Sequence, residues 1–352
     1  MKTSAGSMKF FNGKKVMKLI FFMTACAFIK DAYSQDAHFS LQSLSTVILN
    51  PAKVGNSSRY RANIQYRSQW KALGTPFTTT SASFDMNLKK SDKNSGGYFG
   101  FGLNALKDKL GNNGYQATAV HAAAAYHLPV NKNNTIRLGF STSFEQRAVG
   151  FANGKWGSQF NGYQYDPGIA SGEVFAAENQ SSLDIGSGIS YTFSKAPQKR
   201  KHKIATRIEA GIAGFHLGSI PLNTPDGLTV DIPTRFSGYL SSVFSISEKM
   251  GLGPSAFYHY QGGLTNQMVG LNAVYLINSG DAFISNAKRT ALSLGAHVRF
   301  KDAIIISPMF EWSDFAVGMA YDINISALNA YTSGRGSFEL AFRWKTNGGR
   351  NR

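Results

Sequence analysis

Among the side chains able to do chemistry, His121 and His127 come nearest to a pattern. They lie six apart in one alternating stretch, so both fall on the same face of a strand. At strand rise they stand roughly 20 Å apart, too far to share a metal ion. No His-Glu-x-x-His pair is present. Ser and Asp are abundant, but nothing marks one Ser as activated by a neighbouring base. Gly100-Phe101-Gly102 has no helix after it and is no phosphate loop. The chain is therefore read as non-enzymatic, with no catalytic, metal or cofactor residues. What recurs instead is charge on one strand face: Arg59, Arg61, Arg67, Arg137 and Arg299. Such a ladder suits anion selection. The expectation here is that Asp85, Glu145 and Glu339 neutralise it in a packed interior, and that Asp302 and Asp322 pair with nearby arginines.

The elements that must position these groups are strands. Phe338, Leu340, Phe342 and Trp344 alternate with Glu339, Ala341, Arg343 and Lys345, a period of two. Tyr60, Ala62, Ile64, Tyr66 and Trp70 alternate in the same way with Arg59, Arg61, Asn63, Gln65, Arg67 and Gln69. The pattern predicts strands over 59–70, 77–89, 97–107, 116–128, 135–146, 183–193, 204–215, 235–246, 251–260, 266–277, 290–300, 302–310, 314–324 and 336–345. The 116–128 stretch is Ala-rich, which favours helix by propensity. Its length and turn-like flanks match its neighbours, and it is read as a strand. Fourteen strands of this length suit tilted membrane strands better than the shorter strands of soluble sheets. An even count is what bacterial outer-membrane barrels use. With both chain ends periplasmic, the two longest connections, 147–181 and 216–233, fall outside, as such barrels arrange them. Aromatics near strand ends (Trp70, Phe193, Phe300, Trp312, Trp344) suit interfacial girdles. The expected fold is all-β: a single 14-stranded antiparallel transmembrane barrel.

Only 16% of the 352 residues are charged, and the net charge is +17. Basicity at this level is compatible with nucleic acid. Strand-borne aromatics, an export signal and the absence of a nucleic-acid-binding motif point instead to anionic lipid or an acidic partner. Residues 1–34 read as a signal peptide: Lys14, Lys15 and Lys18, an apolar run over 19–29 too short to span a bilayer, then Ala32-Tyr33-Ser34 before Gln35. Met17 is an alternative start, which would leave residues 1–16 untranslated. Cys26 lies inside the apolar run, which Phe28 and Ile29 continue, and this disfavours a lipoprotein. Cleavage after Ser34 leaves no Cys for a disulfide or thiolate site. Beyond the signal, the divisions are an N-terminal periplasmic or plug segment over 35–57, the barrel over 58–345 and a tail over 346–352. Asn50-Pro51 reads as a fixed turn at the periplasmic mouth.

Several short motifs, in order, resemble the PorP/SprF family, outer-membrane proteins tied to the type IX secretion system of Bacteroidetes. They are Leu49-Asn50-Pro51-Ala52 with Gly55, Tyr66-Arg67-Ser68-Gln69-Trp70, Ser81-Ala82-Ser83-Phe84-Asp85, Asp166-Pro167, Pro233-Thr234-Arg235, Gly253-Pro254-Ser255, Arg299-Phe300-Lys301-Asp302-Ala303, Tyr321-Asp322-Ile323-Asn324-Ile325-Ser326 and Phe338-Glu339-Leu340. The resemblance covers 35–345. It implies a Sec-exported barrel in outer-membrane lipid, active in secretion and gliding. It also implies partners: an adhesin-like surface protein with a C-terminal sorting domain, and the periplasmic ring components. The residues it singles out for partner binding or structure are Asn50, Pro51, Gln69, Trp70, Asp166, Pro167, Arg299, Asp302, Asp322 and Ser326. The tail after Trp344 departs from barrels that end on an aromatic. Two other readings stay open on the residues alone: a passive diffusion porin and, more distantly, a secreted β-sandwich lectin.

Overall fold

The computed structural model describes residues 35–56, 58–74, 76–89, 96–111, 115–149, 155–172, 179–195, 204–218, 220–223, 232–278 and 290–346. The strands are β1 (Tyr60–Gln69), β2 (Phe77–Asn87), β3 (Tyr98–Leu110), β4 (Tyr115–Pro129), β5 (Asn134–Val149), β6 (Asn179–Lys195), β7 (Thr206–Phe215), β8 (Ile220–Asn223), β9 (Arg235–Ser245), β10 (Met250–Gln261), β11 (Leu264–Asn278), β12 (Thr290–Arg299), β13 (Ala303–Trp312), β14 (Phe315–Asn324) and β15 (Arg335–Thr346). All but β8 form the wall. Each pairs antiparallel with its neighbours, β7 with β9 across the short β8, and β1 with both β2 and β15, so the sheet closes on itself. The result is the expected 14-stranded barrel. Among the described residues no helix is long and apolar enough to cross a membrane. Closure leaves the wall without a free edge, as a lipid-embedded sheet requires.

The alternation separates two environments. On β15, Phe338, Leu340 and Phe342 are exposed on the outside of the wall, while Glu339 and Ala341 are fully buried inside. On β1, Ile64 and Tyr66 face out, and Arg61, Asn63, Gln65 and Arg67 are buried. Polar residues inside and apolar residues outside is the arrangement of a barrel whose solvent is lipid. The Ala-rich stretch is β4, against helix propensity. Its Ala123 and Ala125 point inward and pack against Val47 and Val54.

Five details differ from the sequence reading. The irregular stretch after β5 is shorter than 147–181: β5 and β6 pair as far as Ala148 and Asn179, because each offers the other its edge beyond the wall. The connection over 216–233 holds β8, which pairs with Ser181, Ser182 and Leu183 of β6, residues that β7 does not reach. Arg59 precedes β1 and is exposed, so it leaves the inward ladder. Trp70 follows β1 with a left-handed backbone (φ 56°) and packs edge-on against Phe77. At the other end, β15 runs to Thr346, which pairs with Tyr60. The signal-peptide reading of 1–34 and the tail beyond Thr346 lie outside the described residues.

The two longest connections, those after β5 and after β7, lie at one end of the barrel together with the 325–334 turn. By the rule that bacterial barrels keep short turns in the periplasm, this is the outer end. β1 starts, and β15 finishes, at the opposite end.

Candidate functional site: a filled lumen and its outer rim

The segment ahead of β1 does not stop at the periplasmic mouth. It runs the length of the lumen, from Asp36 at the outer end to Gly55 near the start of β1. Locally it is three short turns, Gln42–Leu44, Thr46–Leu49 and Pro51–Lys53. Asn50 is extended (φ −165°) and caps the last turn, accepting from Ala52 N at 2.8 Å, with Pro51 in the first position where a missing N–H costs nothing. The Asn50 amide also donates to Ile189 O (3.1 Å) and Ile212 O (3.0 Å), on β6 and β7. The segment's apolar side, Leu41, Leu44 and Leu49, packs on Tyr239, Phe257, Met268 and Ile305 of the wall. Two glycines make the approach possible. A Cβ at Gly139 would sit 2.3 Å from Ala52 N, and one at Gly188 would sit 2.3 Å from Asn50 Oδ1.

Charge fixes the same segment at three levels. At the outer end, Asp36 Oδ2 lies 2.8 Å from His216 Nε2 and 3.3 Å from Arg235 Nε. Burial alone would raise the Asp36 carboxyl, but Arg235 and His216 outweigh it and hold it well below the usual carboxylate range. Burial also opposes charge on His216, yet the close Asp184 and Asp36 carboxylates push it up to about 10. One step inward, Ser40 is the hub. Its hydroxyl donates to Asp322 (2.8 Å) and accepts from Arg67 (3.1 Å) and Arg299 (2.8 Å), and its N–H donates to Glu339 Oε2 at 2.6 Å. Arg67 and Arg299 both pair with Asp322, at 3.1 and 2.9 Å. At the periplasmic end Arg61 pairs with Asp85 (2.8 Å), which also accepts from Gly55 N. Lys53 pairs there with Glu209 at 3.1 Å.

The residues singled out from sequence fall into three places. Gln69, Trp70, Asp302 and Asp322 line one small recess near the outer rim, with Arg67 and Asn324. Arg299 reaches Asp302 and Asp322, both at 2.9 Å. Ser326 closes the adjoining turn by donating its hydroxyl to Asn324 Oδ1 at 2.7 Å. Asn50 and Pro51 lie in the lumen. Asp166 and Pro167 are apart from both, in the outer connection after β5, where Asp166 Oδ1 accepts from Gly168 N at 2.9 Å. That connection folds on itself over 155–172: Phe160 bridges Tyr165, Gln159 Nε2 donates to Ile169 O at 3.0 Å, and Lys155 lies over the Tyr165 ring. Tyr163, at 96% exposed, and Phe160 stand out at its tip. Of the expected neutralising acids, Asp85 and Glu339 engage the arginines Arg61 and Arg67 or their partners. Arg137 differs: it donates to His127 Nδ1 (2.9 Å) and Thr192 Oγ1 (2.7 Å). Asp36, Ser40, Asp184, Glu209 and His216 were missed. Each is unremarkable in its own stretch and acquires partners only across the lumen.

A family model for the type IX secretion system membrane protein PorP/SprF matches residues 31–344. No curated protein matches. Among solved structures, the Ralstonia pickettii toluene transporter TbuX is 12% identical with a TM-score of 0.47, over 86% of this chain and 94% of that one. A Pseudomonas aeruginosa FadL homologue is 11% identical with a TM-score of 0.40, over 86% and 94%. The translocator domain of the Neisseria meningitidis autotransporter NalP is 10% identical with a TM-score of 0.37, over 94% and 98%. At these values the likeness is one of barrel shape and says nothing of cargo. The family match spans nearly the whole barrel together with its lumen segment, and this outer-membrane chain belongs to the PorP/SprF family of type IX secretion system membrane proteins.

Proposed function

We propose that the protein is a non-enzymatic, non-conducting scaffold of the type IX secretion system. It helps secrete or anchor an adhesin-like surface protein that carries a C-terminal sorting domain, in a gliding Bacteroidete. The observation that carries this reading is the filled lumen: residues 35–56 are tied to the wall at three levels by ion pairs from Asp36 and Lys53 and by hydrogen bonds from Ser40, Asn50 and Gly55. A barrel occupied in this way offers a partner its rims rather than its interior, and this weighs against the diffusion porin. The outer rim presents Phe160 and Tyr163 on a folded connection, the kind of exposed aromatic group that anchors interfaces. On this reading the client rests on the outer connections, the periplasmic turns meet the secretion ring, and 1–34 are removed during Sec export.

The test is affinity purification of the mature barrel from outer membranes in mild detergent, with mass spectrometry of what accompanies it. A large surface protein with a C-terminal sorting domain is expected with the wild type. It is expected to be lost when 150–178, the stretch between β5 and β6, is deleted while the barrel still migrates as folded on unheated gels. Retention of the client by the deletion variant removes the outer connection from the reading. A partner-free barrel that conducts in a planar bilayer would favour the porin.

A further inference from the structure

At the outer end of the lumen three potential metal ligands converge from separate strands. Glu145 on β5 and Asp184 on β6 both face inward, two positions apart in register because Asp184 stands opposite Ser143. His216 follows β7. One donor atom from each lies within 4.8 Å of the other two. The side chains of Asp184 and His216 are 4% and 2% exposed and that of Glu145 is 11% exposed.

The contacts are incomplete in a particular way. Asp184 Oδ2 accepts the backbone N–H of His216 at 3.1 Å. The His216 Nδ1 atom lies 2.9 Å from the same oxygen, but its direction makes no hydrogen bond, and Asp184 Oδ1 is buried with no partner at all. On the far side of the ring, Nε2 is engaged with Asp36 Oδ2 at 2.8 Å. A carboxylate on one ring nitrogen, with the other turned toward two further carboxylates, is how proteins orient a histidine that ligates a metal. Arg235 on Asp36 and Arg147, 3.7 Å from Glu145, keep the negative charge from accumulating.

We infer that Glu145, Asp184 and His216 form a binding site for one divalent transition-metal cation of the zinc class, with Asp36 orienting His216 from behind. One imidazole nitrogen and two carboxylate oxygens suit Zn²⁺ and its first-row neighbours, whereas Ca²⁺ and Mg²⁺ favour all-oxygen shells. On Nδ1 the cation takes the place of a proton, as metals do at any histidine. It would join β5, β6 and the connection after β7 at the level where the lumen segment begins. The inference is independent of any client.

The test uses the mature barrel in detergent, carried on a tag without histidine, stripped with chelator and titrated with ZnCl₂ by calorimetry. One Zn²⁺ per barrel is expected, with the affinity at least tenfold weaker in Glu145→Gln and in Asp184→Asn, both checked for folding by gel mobility. An unsaturable wild type, or binding unchanged in both variants, overturns the site. Should the variants not fold, X-ray absorption of the Co²⁺-loaded wild type decides. One imidazole with oxygen donors supports the assignment, and two or more imidazoles refute it.

Discussion

Asp322 shows how little of this lumen is decided one residue at a time. Its carboxylate is the shared acceptor of Arg67, Arg299 and the Ser40 hydroxyl, all buried. Buried ion pairs contribute little relative to well-packed apolar residues, but breaking one leaves an uncompensated charge. Asp322→Asn keeps the shape and removes the charge that two guanidiniums share. It is expected to cost about 3–5 kcal/mol, seen as a lower urea midpoint for unfolding from lipid vesicles. The inward phase of Asp322 and Arg299 was legible in the alternation, and so was their pairing. Ser40 was not legible, because it lies in a stretch without periodicity and its partners are far away in sequence. Asn50 was readable as a fixed turn, since Asn before Pro is a turn signal in its own right. Its hold on the β6 and β7 carbonyls depends on Gly188 and Gly211 passing beneath it, which no local pattern reveals.

For the elements, the strands were the most legible part of the chain. Lipid on one side and a polar filling on the other impose the same period on every wall strand, so fourteen segments announce themselves. The ends were less clear where pairing, and not burial, sets them: β5 and β6 continue as a ribbon past the lipid-facing band, and β8 exists only because β6 has an edge to spare. The path of 35–56 was invisible for a different reason. A segment surrounded on all sides by the wall has no single solvent face and therefore no period. Its removal is the sharpest test of its role. Wild-type barrels are expected to be silent in a planar bilayer, and barrels lacking 35–56 to show single-channel currents with the lumen now open. Silence from a folded deletion variant would mean that something else closes the pore.

Considered as a whole, the molecule is a wall around the segment that precedes β1, and the direction of that segment matters. It meets His216 and Arg235 at the outer rim and Asp85 and Glu209 near the start of β1. With β1 it therefore makes a bend whose arms both cross the membrane, one inside the wall and one in it. The segment enters the lumen at the end where β1 starts, so its leading residues stand at the opposite, outer rim. On the proposed reading in which export removes 1–34, a tag fused directly ahead of Gln35 is expected on the cell surface. An epitope placed there should be stained by antibody on intact cells, whereas one placed in the 246–249 turn should be stained only after permeabilisation. A barrel threaded in this direction presents the start of its lumen segment, and not only its loops, to the outside of the cell.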